Sequence, residues 1–186
     1  MARSEFSVVP LALTAILTAP CSAFAVDYLT AQDAKKILFP SSVSWREQAI
    51  NLSADQLLAL RKQAGVPARS VAWRLQQALD AKGNLLGTVV VDQVVGKFEL
   101  ITYAVGVDAK GQIAGVEILS YRESHGSEIR LPAWRKQFVG KDSRAPIKTG
   151  EDIAIISGAT LSCSHVTEGV RRIASLVVML NEQSPR

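Results

Sequence analysis

Between residues 70 and 121 the chain is rich in Val and Ile, and its apolar positions alternate, at Ile101, Tyr103, Val105 and Val107 and then at Val116 and Ile118. A period of two lines one face of a strand. One turn signal occurs twice, as Asp80-Ala81-Lys82-Gly83 and as Asp108-Ala109-Lys110-Gly111, and divides the region into hairpins. Strands are predicted over 85–91, 98–107 and 113–121, antiparallel and with one buried face. Segment 70–80 reads two ways. Val71, Trp73 and Leu75 alternate as a strand would, while Leu75 and Leu79 also suit a helix capped by Ser70. A strand is favoured, because a tight turn and a further strand follow directly.

A helical rhythm occupies both flanks. Thr30 is placed to cap a helix over 31–38, ended by Pro40, and Ser53 to cap one over 54–64, where Leu57, Leu58 and Leu60 share a side and Gly65 supplies the stop. Leu131, Trp134 and Phe138 have helical spacing within 130–140, and 141–150 is a polar loop with Pro146. A β-like apolar run at 153–156 precedes the last helix, predicted over 163–180 with its start near Ser162. Its core stripe is Val166, Val170, Ile173 and Val177, with Glu168, Arg171 and Arg172 elsewhere on its surface. The expected fold class is α+β, an antiparallel β-sheet flanked by helices.

The first 25 residues change the compartment. Arg3, an apolar run over 8–20 and the A-x-A site Ala23-Phe24-Ala25 read as a secretory signal, which predicts a mature chain from Val26 and a periplasmic location. Pro10 and Pro20 interrupt an apolar run too short for a span of ~20 residues. The expected organisation is a leader over 1–25, a helical lead over 26–69 and a domain over 70–186, the last two forming one compact unit. Cleavage removes Cys21 and leaves Cys163, so packing and not a disulfide must stabilise the fold. The formal charge of +4 is spread among acids, with no basic run interleaved with aromatics, which argues against nucleic acid.

Candidate chemistry concentrates at Ser157-Gly158-Ala159-Thr160-Leu161-Ser162. A small-residue turn into a helix leaves backbone N–H groups unpaired at the positive end of the helix, where a phosphate is favoured. Gly158 and Ala159 keep bulk away, and Thr160 offers a hydroxyl beside that position. A second element, Glu123-Ser124-His125-Gly126-Ser127-Glu128, follows a strand with a glycine turn and can set polar groups against a flat ring edge.

These residues resemble the FMN-binding domain family, which includes the peripheral flavin subunits of the sodium-pumping NADH:quinone reductase and of the Rnf complex, and small exported FMN-binding proteins. The resemblance rests on Ser157-Gly158-Ala159-Thr160 with Leu161-Ser162, on Gly96-Lys97-Phe98, on Tyr121-Arg122 through Arg130, and on Trp134-Arg135 and Gln137 through Lys141. It spans roughly residues 71–174. It implies FMN as cofactor, held by a phosphoester to Thr160 that a flavin transferase forms with FAD as donor. Ser157, Gly158, Ala159, Leu161 and Ser162 would cradle the phosphate, and Glu123, Ser124, His125, Gly126 and Glu128 would contact the ring. Implied partners are that transferase and a membrane redox complex or cytochrome.

The family usually carries an acidic residue six positions before the Thr; here that residue is Ala154. If the preceding segment is a strand, Asp152 shares the side of Ala154 and is a candidate substitute. Trp134 and Phe138 are expected in the core, with shielding of the ring as the alternative. His165 is expected near the phosphate or on the surface, and Cys163 as a buried thiol. No haem-attachment, iron–sulfur, dinucleotide-fingerprint or hydrolase pattern is present. The expected role is an exported electron carrier. The alternatives are a non-covalent FMN-dependent reductase and a cofactor-free interaction module.

Overall fold

A computed structural model describes residues 28–183; the expected leader over 1–25 and its cleavage site lie outside the described residues. The chain runs α1 (Ala31–Leu38), β1 (Ser44–Asn51), α2 (Ala54–Ala64), β2 (Ala72–Leu79), β3 (Leu85–Val95), β4 (Leu100–Asp108), β5 (Ile113–Ser120), α3 (Pro132–Arg135) and α4 (Thr160–Gln183). Short 3₁₀ turns at Ser127–Arg130 and Lys136–Phe138 flank α3. The five strands form one antiparallel sheet in the order β1-β2-β3-β4-β5. The α+β class expected from the sequence is the observed one.

The predicted caps explain the first two helices. The Thr30 hydroxyl accepts the Asp33 N–H at 3.1 Å. Ser53 and Gln56 form a reciprocal capping box, and Gly65 closes α2 with φ 65°. Between these helices the sequence reading placed no strand, yet β1 pairs with β2 along its whole length, from Ser44↔Leu79 to Asn51↔Ala72. Both of its faces are largely solvent-exposed, so it lacks the alternation that marks a half-buried strand. Polar side chains tie it across: Gln76 Nε2 donates to Glu47 Oε2 at 2.9 Å and Arg46 Nε to Gln77 Oε1 at 2.8 Å. Segment 70–80 is a strand, as favoured.

Each face of the sheet carries its own core. On one, α2 and α4 cover Leu75, Val90, Tyr103, Val105 and Val116 with Leu60, Val166, Val170, Ile173 and Val177. On the other, α1 lays Leu38 and Phe39 against Ala78, Val89, Ala104 and Leu119. That contact requires glycines beneath it. A Cβ at Gly87 would stand 2.3 Å from Phe39 Cζ, and one at Gly115 2.8 Å from Leu38 Cδ2.

Three expectations change. Arg172, read as a surface residue of α4, is fully buried. Its Nε donates to the Pro67 carbonyl at 2.7 Å, and its Nη1 meets the Asp92 carboxylate, which also accepts the Tyr103 hydroxyl at 2.9 Å. These acceptors offset part of the cost of burying the cation, while Nη2 has no partner among the described residues. The 130–140 segment is broken into 3₁₀, α and 3₁₀ turns, with Pro132 at the start of α3. The 153–156 run makes only a single parallel bridge, Thr149↔Ile153.

Candidate functional site

The last helix begins at Thr160, the hydroxyl-bearing residue of the turn, and runs 24 residues to Gln183 with no acidic residue in its first turn. Ala159 serves as its cap: its carbonyl accepts the Cys163 N–H at 2.9 Å, and its own N–H donates to the Ile156 carbonyl at 3.0 Å. Ala159 has no side-chain oxygen to turn back onto the helix. Among the described residues, no acceptor meets the amides of Thr160, Leu161 and Ser162. Three open N–H groups at the positive end of a long helix are what an anion requires.

These amides face a cavity of about 400 Å³ lined by Lys97, Phe98, Glu123, Ser124, His125 and residues 158–162. Such a volume lies in the range of small-molecule sites. Three chain segments meet here: the tip of the β3–β4 hairpin, the loop after β5, and the start of α4. Their junction depends on close approach. Gly126 has φ 84°, and a Cβ on it would stand 2.1 Å from Ala159 Cβ and 2.8 Å from Tyr121 Oη. Gly126 therefore answers both a left-handed turn and the contact that seats the loop on α4.

Tyr121 locks this junction. Its hydroxyl donates to the His125 carbonyl and lies 3.2 Å from Ser162 Oγ. With its one proton directed at His125, the Ser162 hydroxyl must donate to it. Burial pushes the Tyr121 phenol above its usual value despite the Ser162 hydrogen bond, so it remains a donor across the neutral range. Ser124 Oγ lies 2.9 Å from His125 Nδ1 on the exposed side.

Glu123 has a distinct task. Its Oε1 accepts the backbone N–H groups of Phe98 at 2.7 Å and Glu99 at 3.0 Å. Partial burial pulls this carboxyl upward, but the amides of Glu99, Phe98 and Lys97 and the Lys97 charge outweigh it and hold it below the usual range. A Cβ at Gly96 would approach Glu123 Oε1 to 2.5 Å, so the glycine that opens the hairpin tip also admits the carboxylate. The strand expected from residue 98 accordingly starts at Leu100, because Phe98 and Glu99 turn their amides to Glu123.

Of the sequence-predicted residues, the fold gathers Glu123, Ser124, His125, Gly158, Ala159, Thr160, Leu161 and Ser162 around one cavity. Gly126 lies beneath it against Ala159. Ser157 and Glu128 are exposed and outside its lining. Ser162 is buried and bonded to Tyr121, so its side chain braces the site. Trp134 and Phe138 are core residues, packed edge to face with centroids 5.1 Å apart, and they do not line the cavity. His165 Nδ1 lies 2.5 Å from the Val95 carbonyl, so Nδ1 carries the proton and points at the backbone of β3. Cys163 is buried, and burial raises its thiol above the usual value. Lys97, Phe98 and Tyr121 were missed as site residues, although all three stood in the motifs that carried the resemblance.

The position six before Thr160 is occupied from both sides of its backbone. Ala154 N–H donates to Gln137 Oε1 and its carbonyl accepts Trp134 Nε1, each at 2.8 Å, while its methyl faces solvent. Asp152 is engaged elsewhere. Its carboxylate accepts the amides of Ile147 and Lys148 and pairs with Lys141 Nζ at 2.9 Å, and it supports Ile147 at φ 39°.

The antiparallel sheet thus sets the open N-terminus of a long helix at a cavity edged by a hydroxyl, polar loop groups and an aromatic ring. Residues 96–175 match the FMN-binding domain family. The match covers this segment of the chain, and it indicates FMN as the cofactor of the domain. The structure is similar to that of NqrC from Shewanella oneidensis, with TM-score 0.51 and 20% identity, covering 86% of this chain and 92% of that one. It is also similar to the corresponding component of the Na(+)-translocating NADH-quinone reductase from Parabacteroides distasonis, with TM-score 0.52 and 16% identity over 85% and 86% of the two chains. At these identities the likeness is one of fold. No curated protein matches the chain. No helix among the described residues is long and apolar enough to cross a membrane, and no group of His, Cys, Asp and Glu among them could hold a metal.

Proposed function

We propose that this chain is an exported electron-transfer protein in which FMN is anchored by its phosphate at Thr160. The observation that carries this reading is the exposed Thr160 hydroxyl at the first residue of α4, beside three amides without partners, on the wall of the cavity. The residues fit the group. Gly158 has φ 79° and no atom within 4 Å of a built Cβ, which leaves room for a phosphate at the turn. The ring would extend from there toward Ser124 and His125 across the cavity.

Bound FMN supplies one- or two-electron chemistry, so the domain can link donors of electron pairs to one-electron acceptors. The chain's part is to hold the phosphate on the α4 amides, to present the Ser124 hydroxyl and the 123–126 backbone to the polar edge of the ring, and to keep the junction rigid through Tyr121. Esterification by a flavin transferase using FAD would prevent loss of the cofactor after export. The signal-like leader supports a periplasmic location, and the fold shared with the reductase component supports a membrane redox complex or cytochrome as partner.

Ala154 favours a second reading, in which FMN is held without an ester. No carboxylate projects where the family carries its acidic residue, and Asp152 is committed to Ile147, Lys148 and Lys141. Coexpression with a flavin transferase, followed by a denaturing gel viewed for flavin fluorescence, distinguishes the two. A fluorescent wild-type band that disappears in Thr160→Ala supports the ester. FMN released on denaturation supports the second reading, and a folded protein without flavin under either condition overturns both.

A further inference from the structure

The tip of the β3–β4 hairpin is built into the cavity by a residue remote from it in sequence. Glu123, beyond β5, holds the tip through the amides of Phe98 and Glu99, and Gly96 makes room for its carboxylate. The tip carries two exposed side chains, Lys97 and Phe98. Phe98 is 74% exposed, far above the exposure of core aromatics such as Phe138. Lys97 Nζ lies 4.9 Å from the Phe98 ring centroid, and no carboxylate among the described residues is within ion-pair distance of it. Both residues line the cavity opposite Thr160. An exposed aromatic ring and a cation without a salt bridge at one cavity wall suit a planar heterocycle that acquires negative charge.

Resting on the FMN reading above, we infer that the hairpin tip is an electrostatic element of the cofactor site: Lys97 stabilises the negative charge that the flavin ring gains on reduction, and Glu123 is the positioning residue that holds Lys97 there. The charge balance is simple. Two electrons and one proton leave the ring one unit more negative. The electrons come from the redox partner or, in a titration, from dithionite, and the proton comes from solvent. A cation fixed at the cavity wall favours the reduced form over the oxidised form. Glu123 acts through the backbone of the tip, and its carboxylate is directed at amides and not at the ring.

Two measurements test this. In FMN-loaded protein, a potentiometric titration with dithionite compares wild type, Lys97→Gln and Lys97→Arg. The expected result is that K97Q lowers the reduced-to-oxidised ratio at fixed potential by roughly tenfold, about 30 mV for a two-electron couple, while K97R stays within about twofold of wild type. A K97Q protein that titrates with the wild type overturns the inference. In FMN-free protein, amide hydrogen exchange compares wild type with Glu123→Ala. The Phe98 and Glu99 amides are expected to exchange at least roughly tenfold faster, with the central residues of β4 unchanged. In loaded protein the K97Q shift in potential is expected to shrink in the Glu123→Ala background, a comparison in which the lost Glu123 charge cancels. Unchanged exchange, or a K97Q shift of full size in the E123A background, overturns the positioning role. The exchange arm needs no flavin, so it still decides the role of Glu123 if wild-type protein takes up no FMN, an outcome that would overturn the functional reading instead.

Discussion

The two faces of the sheet are built to opposite ends. Beneath α1, Phe39 and Leu38 rest on glycines of β3, β4 and β5 so closely that no added methyl would fit at Gly87 or Gly115, and they pack on the apolar side chains of Ala78, Val89, Ala104 and Leu119. At the start of α4 a glycine again permits close approach, at Gly126 against Ala159, but the space next to it remains open and is lined by amides, hydroxyls and a lysine. One close approach fills a core, and the other frames a cavity. A small residue by itself does not mark a site; what marks it is the polar groups left without partners beside it.

The largest effect that separates the two regions should come from Phe39→Ala. Losing the ring from the α1 face is expected to cost about 3–5 kcal/mol of stability in chemical denaturation, while FMN affinity, measured under conditions where the variant is folded, stays at the wild-type value. Loss of FMN affinity in that folded variant would mean that the faces are coupled. Gly126→Ala should do the reverse. Overpacking against Ala159, added to a left-handed backbone, is expected to cost about 1–3 kcal/mol and to weaken FMN binding by roughly tenfold or more, because the loop must leave α4; wild-type affinity in calorimetry would break this part of the comparison. Tyr121→Phe removes only the hydroxyl that joins the His125 carbonyl to Ser162. About 1 kcal/mol of stability and a severalfold loss of FMN affinity are expected, and a variant unchanged in both would show that the lock is dispensable.

The smallest effect concerns acid. Asp152 is pulled upward by partial burial but held below its ordinary value by the Lys148 and Ile147 amides and by Lys141. A depressed carboxyl stabilises the fold above its unfolded value, and that contribution is lost as pH falls through the folded one. Thermal stability should therefore decline below about pH 4, and Asp152→Asn should flatten part of the decline while lowering stability at neutral pH. A parallel acid profile in the variant would assign the decline to other groups.

Much of this was legible in the chain, for identifiable reasons. Thr30, Ser53 and Gly65 act locally, so their helices could be bounded from sequence. The hairpins followed from alternation and from the repeated Asp-Ala-Lys-Gly turn. β1 was not legible, because an edge strand exposed on both faces has no apolar alternation to read. Arg172 was misread because its acceptors, the Pro67 carbonyl and Asp92, come from distant segments. At the site, the turn into α4 and the loop after β5 could be named from motif and local chemistry. The roles of Tyr121, Lys97 and Phe98 could not, since each depends on a junction of segments far apart in sequence. Asp152 illustrates the same limit. Its candidacy as a stand-in for the acidic residue assumed a strand, and the chain there forms a loop that uses its carboxylate internally.

The central claim, that the open amides at the start of α4 receive the phosphate of FMN, is tested most directly by calorimetric titration of the FMN-free protein with FMN and with riboflavin, which has the same ring and no phosphate. Charge-assisted hydrogen bonds of about 1.5–3 kcal/mol predict that FMN binds roughly 10- to 100-fold more tightly than riboflavin. Equal affinities would contradict the account.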